Sequence, residues 1–252
     1  MMLRLALLLC LVTLPLRAEE VVLGLSRDRV AITATFEGSD ILIFGAVKRE
    51  APISEVPLGV VITVAGPSQP VQVRRKERRF GIWVNTDAVD LDAAPTFYAV
   101  ATSGSLDQVL TETEDLRHRV SIPRAIRSVG AASMAEDAER FTDALIRIRE
   151  RTDAYQLLEN AVALDEQTLF RTAISLPANL TEGAYKTRIF LTREGRVVSQ
   201  FETVIDVRKV GLERWLFTLS RQQPLAYGLM SLAIAIAAGW AASAAFRVLR
   251  RT

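Results

Sequence analysis

Alternation with a period of two dominates the first part of the chain beyond its apolar start. In "RVAITATFEGSDILIFGAV", Val30, Ile32, Ala34 and Phe36 fall on one side of an extended segment, and the polar "EGSD" marks a turn. Ile41, Ile43 and Val47 follow in a run that is apolar on both faces. The pattern predicts a hairpin whose second strand lies in a core. "LGVVITVAG", "RRFGIWVN" and "TFYAVATS" continue at short intervals with Gly, Pro, Asn and Asp between them, the spacing of an antiparallel sandwich. A first β-sandwich domain is therefore expected over residues 19–105.

Over 106–164 the pattern turns helical. "SMAEDAERFTDALIRIRERTDAY" opens with Ser133 and Glu136 at the spacing of a capping box, and Met134, Ala138, Phe141, Leu145 and Ile148 then form one apolar stripe. Such a stripe packs on a sheet; left free, it would dock a partner protein. Alternation returns over 165–209. Tyr185, Thr187, Ile189 and Leu191 share a face, "TREGR" turns, and Val197, Phe201, Ile205 and Val207 share a face on the way back. Two arrangements of this second β unit are open. "EGAYKTRIFL" looks like a late strand of an immunoglobulin-like sandwich, and pairing with the first domain satisfies the pattern equally.

Both ends are apolar without alternation. Residues 225–246 contain no charged side chain, and 22 helical residues span roughly 33 Å against a hydrocarbon core of about 30 Å. This predicts a single transmembrane helix, preceded over 210–224 by a short segment, "GLERWLFTLSRQQP". Trp215 and Phe217 in that segment fit either a juxtamembrane helix at the bilayer surface or a plain linker helix. Arg247, Arg250 and Arg251 in the tail, 247–252, place the C-terminus in the cytoplasm by the positive-inside bias. At the other end, Arg4, an apolar run and Pro15 before Ala18 read as a signal peptide over 1–18, either cleaved or retained as a short anchor. Cys10, the one cysteine, lies inside it, so the exported part is expected to hold no disulfide and no thiolate metal site.

Charge sharpens the picture. Of 31 Lys+Arg, Arg4 and Arg17 belong to the signal and three arginines to the tail, leaving 26 against 29 Asp+Glu. The exported region is slightly acidic, and nucleic acid is not an expected partner. Within it, "VRRKERR" gathers Arg74, Arg75, Arg78 and Arg79. Such a run either attracts an anionic solute or lipid headgroups, or is the solvated tip or guarded edge of a hairpin. Asn85, Asp87, Asp90 and Asp92 offer oxygen ligands for calcium, but without the D-x-D-x-D-G spacing, and an acidic loop is the simpler reading. His118 is the one histidine, so a triad or a histidine metal site lacks members, and a solvated or capping role is expected. Lys48, Lys76, Lys186 and Lys209 sit in ordinary charged strand ends and turns, and no phosphate-binding glycine motif occurs. On the span, Ala235, Gly239 and Ser243 make small-x-x-x-small steps on one helix face, through which another helix can approach.

"SLPANLTEGAYKTRIFLTREGRVV", "VRKVGLERWLF" and a single C-terminal span with an arginine tail resemble the alphaproteobacterial putative transmembrane protein family across essentially the whole mature chain. The resemblance implies a single-span inner-membrane protein of a Gram-negative cell with its bulk in the periplasm, and it supplies no catalytic residues. In that setting the sequon at Asn179 is disregarded. The expectation is mainly β with α insertions: a periplasmic immunoglobulin-like β-sandwich region, an intervening amphipathic helix and a C-terminal transmembrane helix. A non-enzymatic protein without cofactors is expected, contacting the lipid bilayer and a membrane or periplasmic protein partner, for example as an accessory subunit of an envelope transporter. The alternative is an anchored solute- or ion-binding module.

Overall fold

A computed structural model describes residues 20–25, 29–32, 38–49, 56–128, 135–209 and 212–249. The expected signal peptide with Cys10, the hairpin residues Ala34 and Phe36, the capping Ser133 and the tail residues 250–252 lie outside the described residues. The chain runs through β1 (Glu20–Leu25), β2 (Arg29–Ile32), β3 (Ser39–Lys48), β4 (Leu58–Ala65), β5 (Ser68–Arg79), β6 (Ile82–Pro95) and β7 (Tyr98–Thr102). Four helices follow: α1 (Leu106–Val109), α2 (Glu112–His118), α3 (Ile122–Ala125) and α4 (Ala135–Glu150). Then come β8 (Tyr155–Leu158), β9 (Ala163–Asp165), β10 (Leu169–Leu176), β11 (Gly183–Arg193) and β12 (Arg196–Lys209), and last α5 (Leu212–Gln222) and α6 (Pro224–Leu249). The structure divides into two compact units, one containing most of the sheets and the other the two C-terminal helices.

The architecture is mainly β with a C-terminal apolar helix. One sheet has the order β1-β3-β10-β9 and a second β2-β12-β11-β4-β7-β8, while β5 and β6 form a two-stranded ribbon, with Ala93 of β6 also bridging to Arg127. Strands from both β-rich stretches therefore share sheets: β3 pairs with β10, and β4 with β11. The hairpin expected from "RVAITATFEGSDILIFGAV" does not form, because β2 joins β12 whereas β3 is sandwiched between β1 and β10. Nor is β3 apolar on both sides in use; Ile41, Ile43 and Val47 are buried, while Leu42 and Phe44 are exposed. At Gly45 a Cβ would stand 2.5 Å from the ring of its cross-strand neighbour Phe170, so that ring lies over the strand only because no side chain is there.

One pairing departs from an immunoglobulin-like sandwich, whose sheets are antiparallel. Strands β7 and β8 run parallel, Tyr98 opposite Tyr155 through Ala101 opposite Leu158. Parallel neighbours need a crossover, and here it is the helical stretch α1–α4. Strand structure also resumes at Tyr155, earlier than the expected boundary at 165. The crossover covers one face of the second sheet: Val61, Tyr98, Val100, Tyr155 and Phe190 of the strands pack with Leu110, Val120, Ile122, Phe141 and Leu145 of the crossover. Val73, Val89 and Leu91, at the root of the β5–β6 ribbon, complete this cluster. In α4 the predicted stripe is used at Phe141 and Leu145 but left open at Ile148, which is exposed.

Arg188 of β11 holds the crossover on the sheet. Its guanidinium donates to the carbonyl oxygens of His118 (2.6 Å) and Arg119 (3.1 Å), to the Tyr98 hydroxyl (3.2 Å) and to Thr63 Oγ1 (3.2 Å). It also lies 5.2 Å from the centre of the Phe190 ring. The two accepting carbonyls belong to the end of α2, where Arg119 turns left-handed (φ 51°). A cation there complements the negative end of the helix dipole. Asp115 Oδ1 accepts from the backbone N–H groups of Val120 and Ser121, which steers the chain from α2 into α3.

Candidate functional site

Beyond Val73 and Val89, the last buried rung of the ribbon, β5 and β6 continue with no other strand beside them among the described residues. The six residues after Val73, Arg74 to Arg79, carry the pair about 20 Å further at the usual rise of a strand. The arginine run occupies this extension, but the structure separates its members. Arg75 is paired with Asp87 across the ribbon, lies 3.8 Å from Glu77 and stands 5.9 Å over the Phe141 ring of α4. Arg74 donates through Nε to Gln72 Oε1 at 2.8 Å. Arg78 and Arg79 lie at the far end, Arg79 within 3.4 Å of Glu77.

Helix α4 supplies what the run alone lacks. Arg140 and Arg147, two helical turns apart and so on one face, meet Arg74 and Arg75 around Phe141 and Asp143, lining an open cleft of about 470 Å³. Four guanidinium groups around one carboxylate and one aromatic ring can hold an anion that also has an apolar part. Sequence reading missed Arg140 and Arg147, although their seven-residue spacing is the signal of a shared helix face.

The aspartates do not form a loop. Asn85, Asp87, Asp90 and Asp92 all lie on β6, in extended backbone. Asp87 is engaged by Arg75, and Asp90 accepts from the Gln72 amide at 2.9 Å, so these oxygens do not converge as a calcium loop requires. Among the described residues no group of three or more His, Cys, Asp or Glu is placed to hold a metal ion. His118 is half-buried, its side chain 22% exposed, in the last turn of its helix. It ends α2, with Nε2 at 3.4 Å from buried Glu114 and its ring 5.3 Å from that of Phe190. Glu114 also accepts from Arg117 at 2.6 Å. Lys186 pairs with Glu202 at 2.8 Å on the sheet surface.

Three tyrosines are buried with their hydroxyls bonded to carbonyl oxygens: Tyr98 to Val120 (2.7 Å), Tyr155 to Pro95 (2.8 Å) and Tyr185 to Thr181 (2.8 Å). Desolvation pushes Tyr98 up to about 12 against the opposing charge of Arg188, and Tyr155 up to about 12 against that of Arg149. Tyr185 is raised as well, by the same cause. These groups are hydrogen-bonded pillars of the core, protonated at neutral pH.

In the helical unit, α5 presents Trp215 and Phe217, both exposed, with Arg221 5.7 Å from the Phe217 ring. Two residues apart, they point about 200° away from each other around the helix and do not form one face. Pro224 starts α6 at the position where its missing N–H costs nothing. Its apolar window, Pro224–Ser243, is long enough to cross a membrane. Side chains at 225–243 are exposed apart from half-buried Met230. Ala235, Gly239 and Ser243 lie on one face by their spacing, and a Cβ on Gly239 would meet nothing within 4 Å.

Comparison with curated proteins returns no match. A family model described as "Putative transmembrane protein (Alph_Pro_TM)" matches residues 20–248, from the first described strand to the last turn of α6. With its exposed apolar helix and a match over nearly its whole length, the chain belongs to this transmembrane protein family, and through that helix it meets the lipid bilayer.

Proposed function

We propose that the protein is a non-enzymatic single-pass protein of the inner membrane, with its β-rich region in the periplasm and its C-terminus in the cytoplasm. In this reading it recognises another envelope protein, as an accessory subunit of a transporter. The observation that carries the reading is the open face of α6 at Ala235, Gly239 and Ser243, where a neighbouring helix can approach the backbone closely. Arg247, Arg250 and Arg251 support the orientation. Crosslinking of the full-length protein in its membrane is expected to capture one reproducible partner, lost when 225–246 is replaced by polyleucine. A partner retained by the polyleucine form would move the contact to the β-rich region. Capture of no partner by either form would end the subunit reading.

A second reading, an anchored module for anionic solutes, rests on the cleft between α4 and the ribbon. There, citrate is expected to raise the apparent melting temperature, and Arg140→Gln with Arg147→Gln to weaken that response by about tenfold, the worth of one charge-assisted hydrogen bond. An unchanged response in the double variant would remove this reading.

A further inference from the structure

The ribbon closes on a turn whose chemistry the fold does not call for. Phe80 and Gly81 form the two-residue loop between β5 and β6, both at positive φ, 51° and 85°. Asparagine, aspartate or glycine suits the first of these positions, and a bulky side chain is strained there. The Phe80 ring gains nothing inside the molecule in return, because it is fully exposed; Ile82 and Trp83 are 64% and 68% exposed. Trp83 shares a face of the ribbon with its cross-strand neighbour Arg78, and Ile82 shares the other face with Arg79. The tip is thus an apolar apex with an arginine on each face. From Arg74 to Asp87 five cations stand against Glu77 and Asp87, in an otherwise acidic extramembrane region.

We propose that this tip seats in the headgroup layer of an anionic bilayer, with Phe80, Ile82 and Trp83 at the acyl boundary and Arg78 and Arg79 on the lipid phosphates. Each group there has the surroundings that suit it. Aromatic rings are at home where one side is apolar and the other wet, and arginine reaches up from an apolar bed to anionic headgroups. A bilayer is also the partner the chain always has near it. The span tethers the β-rich region to one, which raises the effective concentration of lipid at the tip. A second copy of the chain is disfavoured as the occupant, since two such tips would bring like charges together and the cationic strand edges resist pairing. Which protein, if any, the span recruits has no bearing on this seat.

The test uses full-length protein carrying Trp215→Phe and Trp240→Phe, which leaves Trp83 as the one tryptophan. It is reconstituted into vesicles of equimolar phosphatidylethanolamine and phosphatidylglycerol, or of phosphatidylcholine, with and without brominated acyl chains. In the anionic vesicles Trp83 emission is expected to shift to the blue and to be quenched roughly twofold by the brominated lipid. Both effects should vanish in phosphatidylcholine, at high salt, and in Arg78→Gln with Arg79→Gln. Phe80→Asn, which suits the turn, should leave the melting temperature unchanged or raised while weakening the quenching, so lost contact is separable from lost folding. Water-like, unquenched Trp83 emission in the anionic vesicles overturns the proposal. A blue shift that follows the protein-to-lipid ratio rather than headgroup charge assigns the tip to a second copy, and one that needs an added envelope protein assigns it to that protein; either result overturns it too.

Discussion

Raising the pH from 10 to 12 is expected to cost the β-rich region on the order of 5 kcal/mol, from Tyr98 and Tyr155 together. An unfolded tyrosine ionises near 10, whereas burial keeps these two protonated in the folded protein up to about 12. Below 10 both states hold the proton, and the stabilisation is fully present. Above 10 only the unfolded state gains by losing it, so stability falls until the folded groups titrate as well. Over the full titration this amounts to roughly 2–3 kcal/mol for each tyrosine. Tyrosinate absorbance followed beside circular dichroism should show these tyrosines titrating together with loss of sheet signal. Tyr98→Phe should reduce the pH dependence by about half, beyond the ~1 kcal/mol it costs through the lost hydroxyl bond to Val120. Titration of both tyrosines near 10 with the sheets intact would show that their burial does not set their ionisation.

Arg188→Leu is expected to destabilise the same region by about 3 kcal/mol, lowering its melting temperature by roughly 6–12 °C. The guanidinium is the shared donor for the end of α2, Tyr98 and Thr63, and leucine leaves the carbonyls of His118 and Arg119 without it. Arg188→Lys should recover less than half, because a point-like ammonium cannot span partners that a planar fork reaches together. Hydrogen exchange locates the effect: amides of α2 and α3 should lose protection before those of β4 and β11. Loss of protection spread evenly over the sheets would make Arg188 one core contact among many rather than the fastening of the crossover.

What periodicity reports is which side of an element is apolar, and that much was readable. Tyr185, Thr187, Ile189 and Leu191 are buried on one face, the turn at Glu194 and Gly195 closes β11 onto β12, and the apolar helix begins next to the expected residue. Periodicity does not say which strand lies alongside. Nothing local in β2 distinguishes β3 from β12 as its neighbour, and nothing in "TFYAVATS" indicates a parallel partner more than fifty residues on. The turn inside "RRFGIWVN" was hidden because Gly81 is flanked by apolar residues where turns usually carry polar ones. The cleft was half readable. Arg74 and Arg75 announce themselves as a run, whereas Arg140 and Arg147 join them only because the crossover lays α4 against the ribbon.

The mixing of early and late strands in the same sheets sets a timetable. Cα partners in β3 and β10 are between 123 and 137 residues apart in the chain, and synthesis adds about 5–20 residues per second. Strand β3 therefore waits on the order of 10 s for its neighbour, with one edge and an apolar face uncovered. Strand β12, which the other sheet awaits, is separated from the start of α6 by fourteen residues. The β-rich region completes itself only as its apolar helix emerges, so a truncation before β10 is expected to yield an aggregating fragment rather than a smaller domain.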